Sequence, residues 1–188
     1  NITLDCKGFE INYSQSVVGY AVNNSGYNYS TIKSCNIVQA DIASDKTAAY
    51  GIYIFKNLAA NTVFNNTIET RGINSYGVYL FQQVYNNSVY GNNITTRGIA
   101  NAYGVVLDTT VYNNSVFNNT ITTSRDTSSS VVLLSTVYSN YVYSNNIITS
   151  GQSSIGVDLG TTVYDNSVYN NNITTTGSSG NGVRLSTT

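Results

Sequence analysis

The sequence predicts an all-β protein, a parallel β-solenoid in which short strands stack from one coil to the next. Three observations predict this fold class: a repeat of about 26 residues, apolar residues that alternate within each repeat, and asparagine columns with the same period. Repeats of this length are typical of solenoids, whose units bury their apolar sides only against neighbouring units. No repeat contains the apolar spacing of an amphipathic helix, so strands are expected throughout.

One valine and one isoleucine, five residues apart, mark each regular repeat. Successive valines lie 26 or 27 residues apart, and Ile32 and Leu4 continue their column upstream with looser steps. Seven column positions predict about seven coils, which gives a rod roughly 34 Å long at the usual spacing between strands. The two columns comprise Val63, Val89, Val116, Val142 and Val168, and Ile37, Ile68, Ile94, Ile121, Ile147 and Ile173.

A second block begins with "GIYIF" at residue 51 and recurs as "GVYLF", "GVVLD", "SVVLL", "GVDLG" and "GVRLS". Its inner residues are two apart, which places both on one face of a strand. Three strand-like segments per repeat therefore predict three parallel sheets along the axis. The inner pairs are Ile52/Ile54, Val78/Leu80, Val105/Leu107, Val131/Leu133, Val157/Leu159 and Val183/Leu185, and a further apolar column comprises Leu58, Val84, Val111, Val137 and Val163.

We expect one β-helix domain over residues 1-188, with irregular coils over 1-50 and regular 26-residue coils over 51-188. The chain has 9 acidic and 8 basic residues, so no basic surface for nucleic acid or anionic membranes is expected. No apolar stretch is long enough to predict a membrane span. Histidine is absent and only two cysteines are present, so no metal site and no cofactor are predicted.

Two asparagine columns run unbroken through five repeats, each at a gap where the two-residue alternation breaks. Asparagine tolerates left-handed backbone and bonds to local main chain, so these positions predict turns. Stacked in register, their side-chain amides can bond from coil to coil as an asparagine ladder. The ladder positions are Asn61, Asn87, Asn114, Asn140 and Asn166, and Asn66, Asn92, Asn119, Asn145 and Asn171.

Aromatic residues form two further columns, each next to an inward valine. Aromatic ladders stabilise stacked coils by themselves. The same rings also make an amphipathic surface suited to a sugar or to another protein, and the sequence leaves packing and binding open. The columns comprise Tyr85, Tyr112, Tyr138 and Tyr164, and Phe64, Tyr90, Phe117, Tyr143 and Tyr169.

The segment "NITLDCKGFEI" at 1–11, followed by "G-[IV]-x-[IL]" and "N-x-V-[FY]-x-N-x-I" repeats, resembles a known family. It is similar to the right-handed parallel β-helix repeats of the pectate-lyase-like superfamily. The Asn-rich repeats of archaeal and bacterial surface proteins and of the NosD-like periplasmic copper-binding family are the nearest in pattern. Such repeats predict fold well and function poorly, since they occur in enzymes, adhesins and surface-layer proteins alike. A leucine-rich repeat is disfavoured because Asn87 stands where leucine is required.

For a polysaccharide lyase the resemblance implies clustered aspartates that bind calcium together with a basic residue, and for a hydrolase it implies paired aspartates. Asp108 and Asp158 occupy different positions within their repeats, so they do not predict a carboxylate pair. No catalytic residue is therefore assigned. The acidic residues are Asp5, Glu10, Asp41, Asp45, Glu69, Asp108, Asp126, Asp158 and Asp165.

Cys6 and Cys35 lie about one coil apart, which predicts a disulfide between neighbouring coils. A disulfide indicates an oxidising environment, so a secreted or cell-surface protein is expected. Exported chains can carry N-linked glycans, and N-x-[ST] sequons are frequent here. The candidate glycosylation sites are Asn1, Asn12, Asn23, Asn28, Asn65, Asn86, Asn93, Asn113, Asn118 and Asn172.

The two termini match successive parts of one repeat. The segment "RLSTT" stops where earlier repeats go on with "V-Y-x-N", and "NITLDC" begins within that same part of the repeat. Open β edges favour pairing with another chain, and a head-to-tail contact that does not close gives a filament. The leading hypothesis is an extracellular structural protein that associates end to end, or a rod that continues in a longer chain. The alternatives are a carbohydrate-binding adhesin that uses the tyrosine columns, and a polysaccharide lyase or hydrolase.

Overall fold

A computed structural model describes residues 1–15, 17–40 and 48–186 and confirms a parallel β-solenoid of about seven coils. Within these ranges every regular element is a β-strand, and the strands are numbered β1 to β23 in chain order. Each coil contributes one strand to each of three long sheets, so consecutive strands of a sheet are about 26 residues apart in sequence. None of the elements in this part of the chain is a helix able to cross a membrane.

The strands have two to five residues and group by sheet. The first sheet comprises β1 (Thr3–Asp5), β4 (Thr31–Lys33), β7 (Thr62–Phe64), β10 (Ser88–Tyr90), β13 (Ser115–Phe117), β17 (Tyr141–Tyr143) and β21 (Ser167–Tyr169). The second comprises β2 (Glu10–Tyr13), β5 (Asn36–Gln39), β8 (Thr67–Thr70), β11 (Asn93–Thr96), β14 (Thr120–Thr123), β18 (Asn146–Thr149) and β22 (Asn172–Thr175). The third comprises β3 (Val22–Asn24), β6 (Ile52–Phe55), β9 (Val78–Phe81), β12 (Val105–Asp108), β15 (Val131–Leu134), β19 (Ile155–Leu159) and β23 (Asn181–Leu185).

The register of the sheets confirms the predicted columns. Val89 pairs with Val63 on one side and with Val116 on the other, in parallel orientation. Ile94 pairs in the same way with isoleucines of the coils before and after it. In the third sheet Leu107 lies between two leucines. Identical residues therefore contact each other along the axis, as the repeat predicted.

A fourth, minor sheet was not predicted as a separate element. It consists of β16 (Val137–Tyr138) and β20 (Val163–Tyr164), and isolated parallel bridges continue its line through Tyr112 and Tyr85 to Ala59. The apolar column that begins at Leu58 supplies its inward side chains. This line of bridges closes the corner between the third and first sheets.

The core fills the interior of the coils. Alternate side chains of each strand are inward, so the valine, isoleucine and leucine columns form one continuous buried cluster. Val89, Ile94 and Leu107 are fully buried. Burial of one such side chain contributes about 1.5–3 kcal/mol, so stacking of like residues supplies most of the stability of each coil.

The turn between the first and second sheets uses one residue in the left-handed conformation. Asn65, Asn118 and Asn170 have φ of 53°, 53° and 55° there, Ser144 has 55°, and Gly91 takes the same place with 63°. Asparagine and glycine adopt this conformation at low cost. The next residue in each of these turns is a ladder asparagine, so the turn aims its side chain along the axis.

The second and third sheets approach each other closely at a glycine column. A Cβ added to Gly77 would lie 2.5 Å from Cγ2 of Ile94 and 2.7 Å from the carbonyl oxygen of Gly104. Close packing therefore favours glycine at this position. Ser130 occupies the corresponding place one coil beyond Gly104, so the column is interrupted once.

The predicted disulfide between Cys6 and Cys35 is present, with a Cα–Cα distance of 4.7 Å. It joins the first two coils where their sequence is least regular. Cys35 also takes the place of a ladder asparagine, since its backbone N–H donates to Oδ1 of Asn66 at 3.0 Å. The disulfide is compatible with an extracellular protein, because such bonds persist in oxidising environments.

Candidate functional site

Both predicted asparagine ladders are formed. The side-chain amide of Asn87 donates to Oδ1 of Asn114 at 2.9 Å, and its backbone N–H donates to the same oxygen at 2.9 Å. In the second ladder Asn92 donates in the same two ways to Asn119, at 3.0 Å each. From Asn87 and Asn92 onward, each ladder oxygen therefore accepts two bonds from the preceding coil, and each amide also bonds to main-chain carbonyls. These buried polar groups are satisfied, as such groups must be.

The ladders have a direction but carry no chemistry. In both ladders the amide-to-amide bonds run toward the C-terminal end of the rod, from Asn61 as far as Asn166 and from Asn66 as far as Asn171. Their carboxamides are at most 2% exposed until the last members, which are half-buried. A ligand cannot reach them, so their role is to hold the turns in register.

The two predicted aromatic columns are continuous stacks. Neighbouring rings of the Tyr85 column have centroids 5.0 to 5.1 Å apart and planes within 4° of parallel. Rings of the Phe64 column lie 4.9 to 5.2 Å apart. The faces of most rings are thus covered by the next ring, and the outer edges remain open. Only the end rings, Tyr164 at 49% and Tyr169 at 45%, are largely exposed.

A larger aromatic surface covers the outer side of the third sheet. We call it the aromatic face, and it lies mainly on the coils that contain β6 and β9. Its stacked rings are crossed by edge-to-face contacts, such as Tyr76 against Tyr79 with centroids 5.1 Å apart and planes at 88°. Most of its members are half-buried, so the surface is open to solvent. The aromatic face comprises Tyr20, Tyr50, Tyr53, Phe55, Tyr76, Tyr79, Phe81 and Tyr103.

Tyr79 lies in the middle of the aromatic face and is 8% exposed. Its hydroxyl donates to Oδ2 of Asp108 at 3.0 Å. Burial, and then the charge and hydrogen bond of Asp108, raise the pKa of Tyr79 far above its ordinary value. Burial, and then the neighbouring Tyr20 and Tyr50, raise the pKa of Tyr53 to about 12. The hydroxyls of this face are therefore neutral hydrogen-bonding groups at physiological pH.

The outer side of the third sheet changes character along the axis. Beyond the rings come Val106 and Val132, which are buried although they face outward. Beyond these, Asp158 pairs with Arg184 through two hydrogen bonds, one of them 2.8 Å long between Nε and Oδ1. The sheet thus presents an aromatic surface toward one end and an ion pair toward the other.

The sequence interpretation missed the aromatic face. The signal was present in the tyrosine that precedes the glycine of "YGIYIF", "YGVYLF" and "YGVVLD", and in the outward Tyr53, Phe55, Tyr79 and Phe81 of these blocks. Period-two alternation assigns the intervening residues to the outer face, so the cluster was predictable as a column.

The described acidic residues do not form a catalytic pair. Asp108 has Phe81 and Leu134 as its register neighbours, whereas Asp158 has Val132 and Arg184. In the described ranges no three histidine, cysteine or acidic residues are grouped as metal ligands. Asp41 and Asp45 lie outside the described residues.

Glu69 is held between two stacked arginines. Its Oε1 lies 3.0 Å from Nε of Arg71 and 3.0 Å from Nε of Arg97. Burial by itself raises the pKa of Glu69, but the hydrogen bonds and charges of the arginines outweigh it and leave the pKa below its ordinary value. This arrangement binds two neighbouring coils together and leaves no free carboxylate there.

Sequon asparagines and ladder asparagines are separated by the fold. In "NNT" and "NNS" segments the first asparagine, such as Asn65 or Asn86, is exposed, and the second, Asn66 or Asn87, is a buried ladder residue. The exposed sequon asparagines are Asn1, Asn12, Asn23, Asn28, Asn65, Asn86, Asn93, Asn113, Asn118 and Asn172. All candidate glycosylation sites are therefore accessible.

The two end coils present strands that pair on one side only. The strands β1, β2 and β3 form the N-terminal edges of the three sheets, and β21, β22 and β23 form the C-terminal edges. Inward apolar side chains are uncovered at both edges, with Leu4 at 37% and Leu185 at 74% exposure.

Comparison of the chain with protein-family models, with curated proteins and with solved structures finds no match.

Proposed function

We propose that this chain is an extracellular structural protein, a β-solenoid rod that associates end to end into a filament or surface layer. The observation that carries the proposal is the pair of uncovered sheet edges, one at each end of the described rod. Unpaired strand edges favour addition of another strand. Because the two edges belong to opposite ends of one directional stack, copies join head to tail, and such contacts extend without closing.

The register supports this mode of association. Inside the solenoid, each strand pairs in parallel with the corresponding strand of the next coil. In a junction between two copies, β21 of one copy therefore pairs with β1 of the next, β22 pairs with β2, and β23 pairs with β3. In such a junction Val168 continues onto Leu4 and Ile173 onto Ile11. The junction repeats the apolar contacts already made inside the rod, and burial of these residues supplies its free energy.

An extracellular setting fits the disulfide and the exposed sequons. The Cys6–Cys35 bond is stable outside the reducing cytosol. Some sequons, such as those of Asn86 and Asn113, lie in turns on the side of the rod. A glycan at such a position does not cover the ends of the rod. The repeat pattern resembles surface-protein β-helix repeats, which supports membership of the pectate-lyase-like superfamily as part of the proposal.

Imaging of the purified chain over a range of concentrations tests the proposal. We expect rods whose length grows with concentration and whose strands lie perpendicular to the filament axis, with an axial repeat of about 4.8 Å that continues across the junctions. Sedimentation velocity on the same samples measures the association. Single rods at every concentration, or filaments that grow by side-by-side contact, would contradict end-to-end assembly.

A second candidate function is recognition of a carbohydrate by the aromatic face. Partly exposed rings beside tyrosine hydroxyls and the Asp108 carboxylate combine apolar surface with hydrogen-bonding groups. An amphipathic ligand such as a sugar chain has both kinds of surface. The predicted Tyr85 and Phe64 columns are less suited to this role, because each is a single file of stacked rings, whereas the aromatic face is several rings wide and has the Asp108 carboxylate beside its hydroxyls.

A glycan array distinguishes the two tyrosine surfaces. If the aromatic face binds, Tyr53→Ser abolishes the signal and Tyr112→Ala leaves it unchanged. If the column binds, as the sequence alternative has it, Tyr112→Ala or Tyr138→Ala abolishes the signal instead. The absence of any glycan signal for the unmodified protein would remove this second candidate.

A further inference from the structure

The first coil contains a cavity. Its volume is about 180 Å³, and residues of the first two coils line it. Ile32 of the second coil is buried, whereas Ile2 at the rim is 46% exposed, so the cavity opens toward the end of the rod. The lining residues are Ile2, Leu4, Val22, Asn23, Asn24, Tyr27, Ser30, Thr31 and Ile32.

The cavity arises from one substitution in the third-sheet column. In the six following coils the inward position of this strand holds isoleucine or leucine, from Ile54 to Leu185. The first coil has Asn24 there. Its amide donates to the carbonyl oxygen of Tyr27 at 2.8 Å and to Oδ1 of Asn61 at 3.3 Å, and its Oδ1 accepts from the backbone N–H of Tyr27 at 3.0 Å. The space that a leucine fills elsewhere is left open.

The opposite end of the rod carries the complementary side chain. Leu185 closes the leucine column and is 74% exposed, although its position is inward in all preceding coils. In a head-to-tail stack β23 of one copy pairs with β3 of the next, so Val183 lies beside Val22 and Leu185 beside Asn24. The parallel register of the third sheet fixes this placement.

We propose that the first-coil cavity is a socket for Leu185 of a second copy of this chain, and that this contact sets the register of the junction. The inference rests on the proposed end-to-end association and names its anchor. Apolar walls at Ile2, Leu4 and Val22 suit a leucine side chain. A few side chains seated in well-packed pockets carry most of the binding energy of an interface.

Charged substitutions at the two halves of the contact test the socket. Leu185→Asp removes the anchor without disturbing the fold, because that side chain is largely exposed, and Ile2→Asp places a charge at the rim. We expect each variant alone to remain a single rod in sedimentation velocity. A matched control is Ile99→Asp, which changes an exposed apolar residue between β11 and β12 in the fourth coil and leaves association unchanged.

Mixing the two variants gives the sharper result. The Ile2→Asp copy retains Leu185, and the Leu185→Asp copy retains an intact socket, so only one productive junction remains. We expect a 1:1 heterodimer that does not grow further. Thermal unfolding measures whether both variants are folded. A folded variant has an unfolding midpoint close to that of the unmodified protein.

Different outcomes overturn different proposals. If the unmodified chain associates end to end and Leu185→Asp associates equally well, the socket is wrong and the structural role stands. The socket is also wrong if both variants are single rods and their mixture forms no heterodimer. If the unmodified chain never associates, both proposals fail together.

Discussion

At the residue scale, the ladder asparagines show how one polar side chain stabilises a turn inside an apolar stack. Oδ1 of Asn114 accepts the backbone N–H and the side-chain amide of Asn87. Its own amide reaches Oδ1 of Asn140 and the carbonyl oxygens of Val84 and Tyr112. No other side chain of this size both accepts and donates hydrogen bonds in this way through one carboxamide group.

Asn114→Ala is expected to lower the free energy of unfolding by about 2–3 kcal/mol, because it leaves the buried backbone N–H of Asn87 without a partner and removes the bonds of the Asn114 amide. Chemical denaturation measures the loss. Asn93→Ala is the matched control, since that asparagine is exposed and lies in a strand rather than a turn. A similar, small effect of both substitutions would show that the ladder bonds add nothing.

At the element scale, the coil depends on its two neighbours and on little else. Solenoid stability is close to a sum of coil and interface contributions. The first coil has a neighbour on one side only, and the disulfide to the second coil compensates for this. Local unfolding is therefore expected to begin at the ends of the rod.

Cys6→Ser together with Cys35→Ser is expected to destabilise the first coil by about 3 kcal/mol, the value typical of a disulfide that closes a loop of this length. Hydrogen exchange should lose protection in β1 and β2 and keep it in β13 and β14. The central coils serve as the internal control. Uniform loss of protection along the rod would contradict a coil-by-coil account.

The aromatic face makes stability sensitive to alkaline pH. The pKa of Tyr53 is raised to about 12 in the folded state, above the value near 10 of an unfolded tyrosine. The folded state therefore holds the proton more tightly. This stabilisation is complete below pH about 10 and is lost as pH rises toward 12.

Denaturation curves over this range should show the free energy of unfolding falling with pH. Tyr53→Phe removes one ionisable group and keeps the ring, so its curve should fall less steeply. Tyr27→Phe is the control, since that tyrosine is 60% exposed and lies outside the aromatic face. Equal slopes for all three proteins would mean that the face does not couple ionisation to folding.

At the scale of the whole molecule, one coil is an interchangeable unit. Val105 and Val131 are register partners 26 residues apart, and the same pairing links every coil to the next. Each unit contacts only the coil before and the coil after it. The rod should therefore tolerate the removal of a whole coil. It should not tolerate the removal of part of a coil, which would move the following strands into the wrong sheets.

Deletion of residues 105–130 joins Gly104 to Val131 and removes one complete unit. We expect a folded, shorter rod with the circular-dichroism spectrum of a β protein. Deletion of residues 105–117 removes about half a unit and places second-sheet residues in the third sheet. That variant should not fold, because its inward apolar residues no longer coincide with those of its neighbours.

The sequence by itself determined the stacking. The period, the Val63 and Ile68 columns and the ladder positions identify which residues meet, since identical residues at one spacing can be buried only in register. The cysteine spacing likewise predicted the bond between the first two coils.

Only the tertiary structure decided what the outer surface does. The alternation places the third-sheet aromatics in outward columns, but outward residues are not constrained by the core, so only the sheet shows that the rings of Tyr50, Tyr76 and Tyr79 contact one another. The cavity beside Asn24 was equally invisible, because it depends on where one amide turns. Periodicity records which side chains share a column, whereas cavities and surfaces depend on the direction each side chain takes in space.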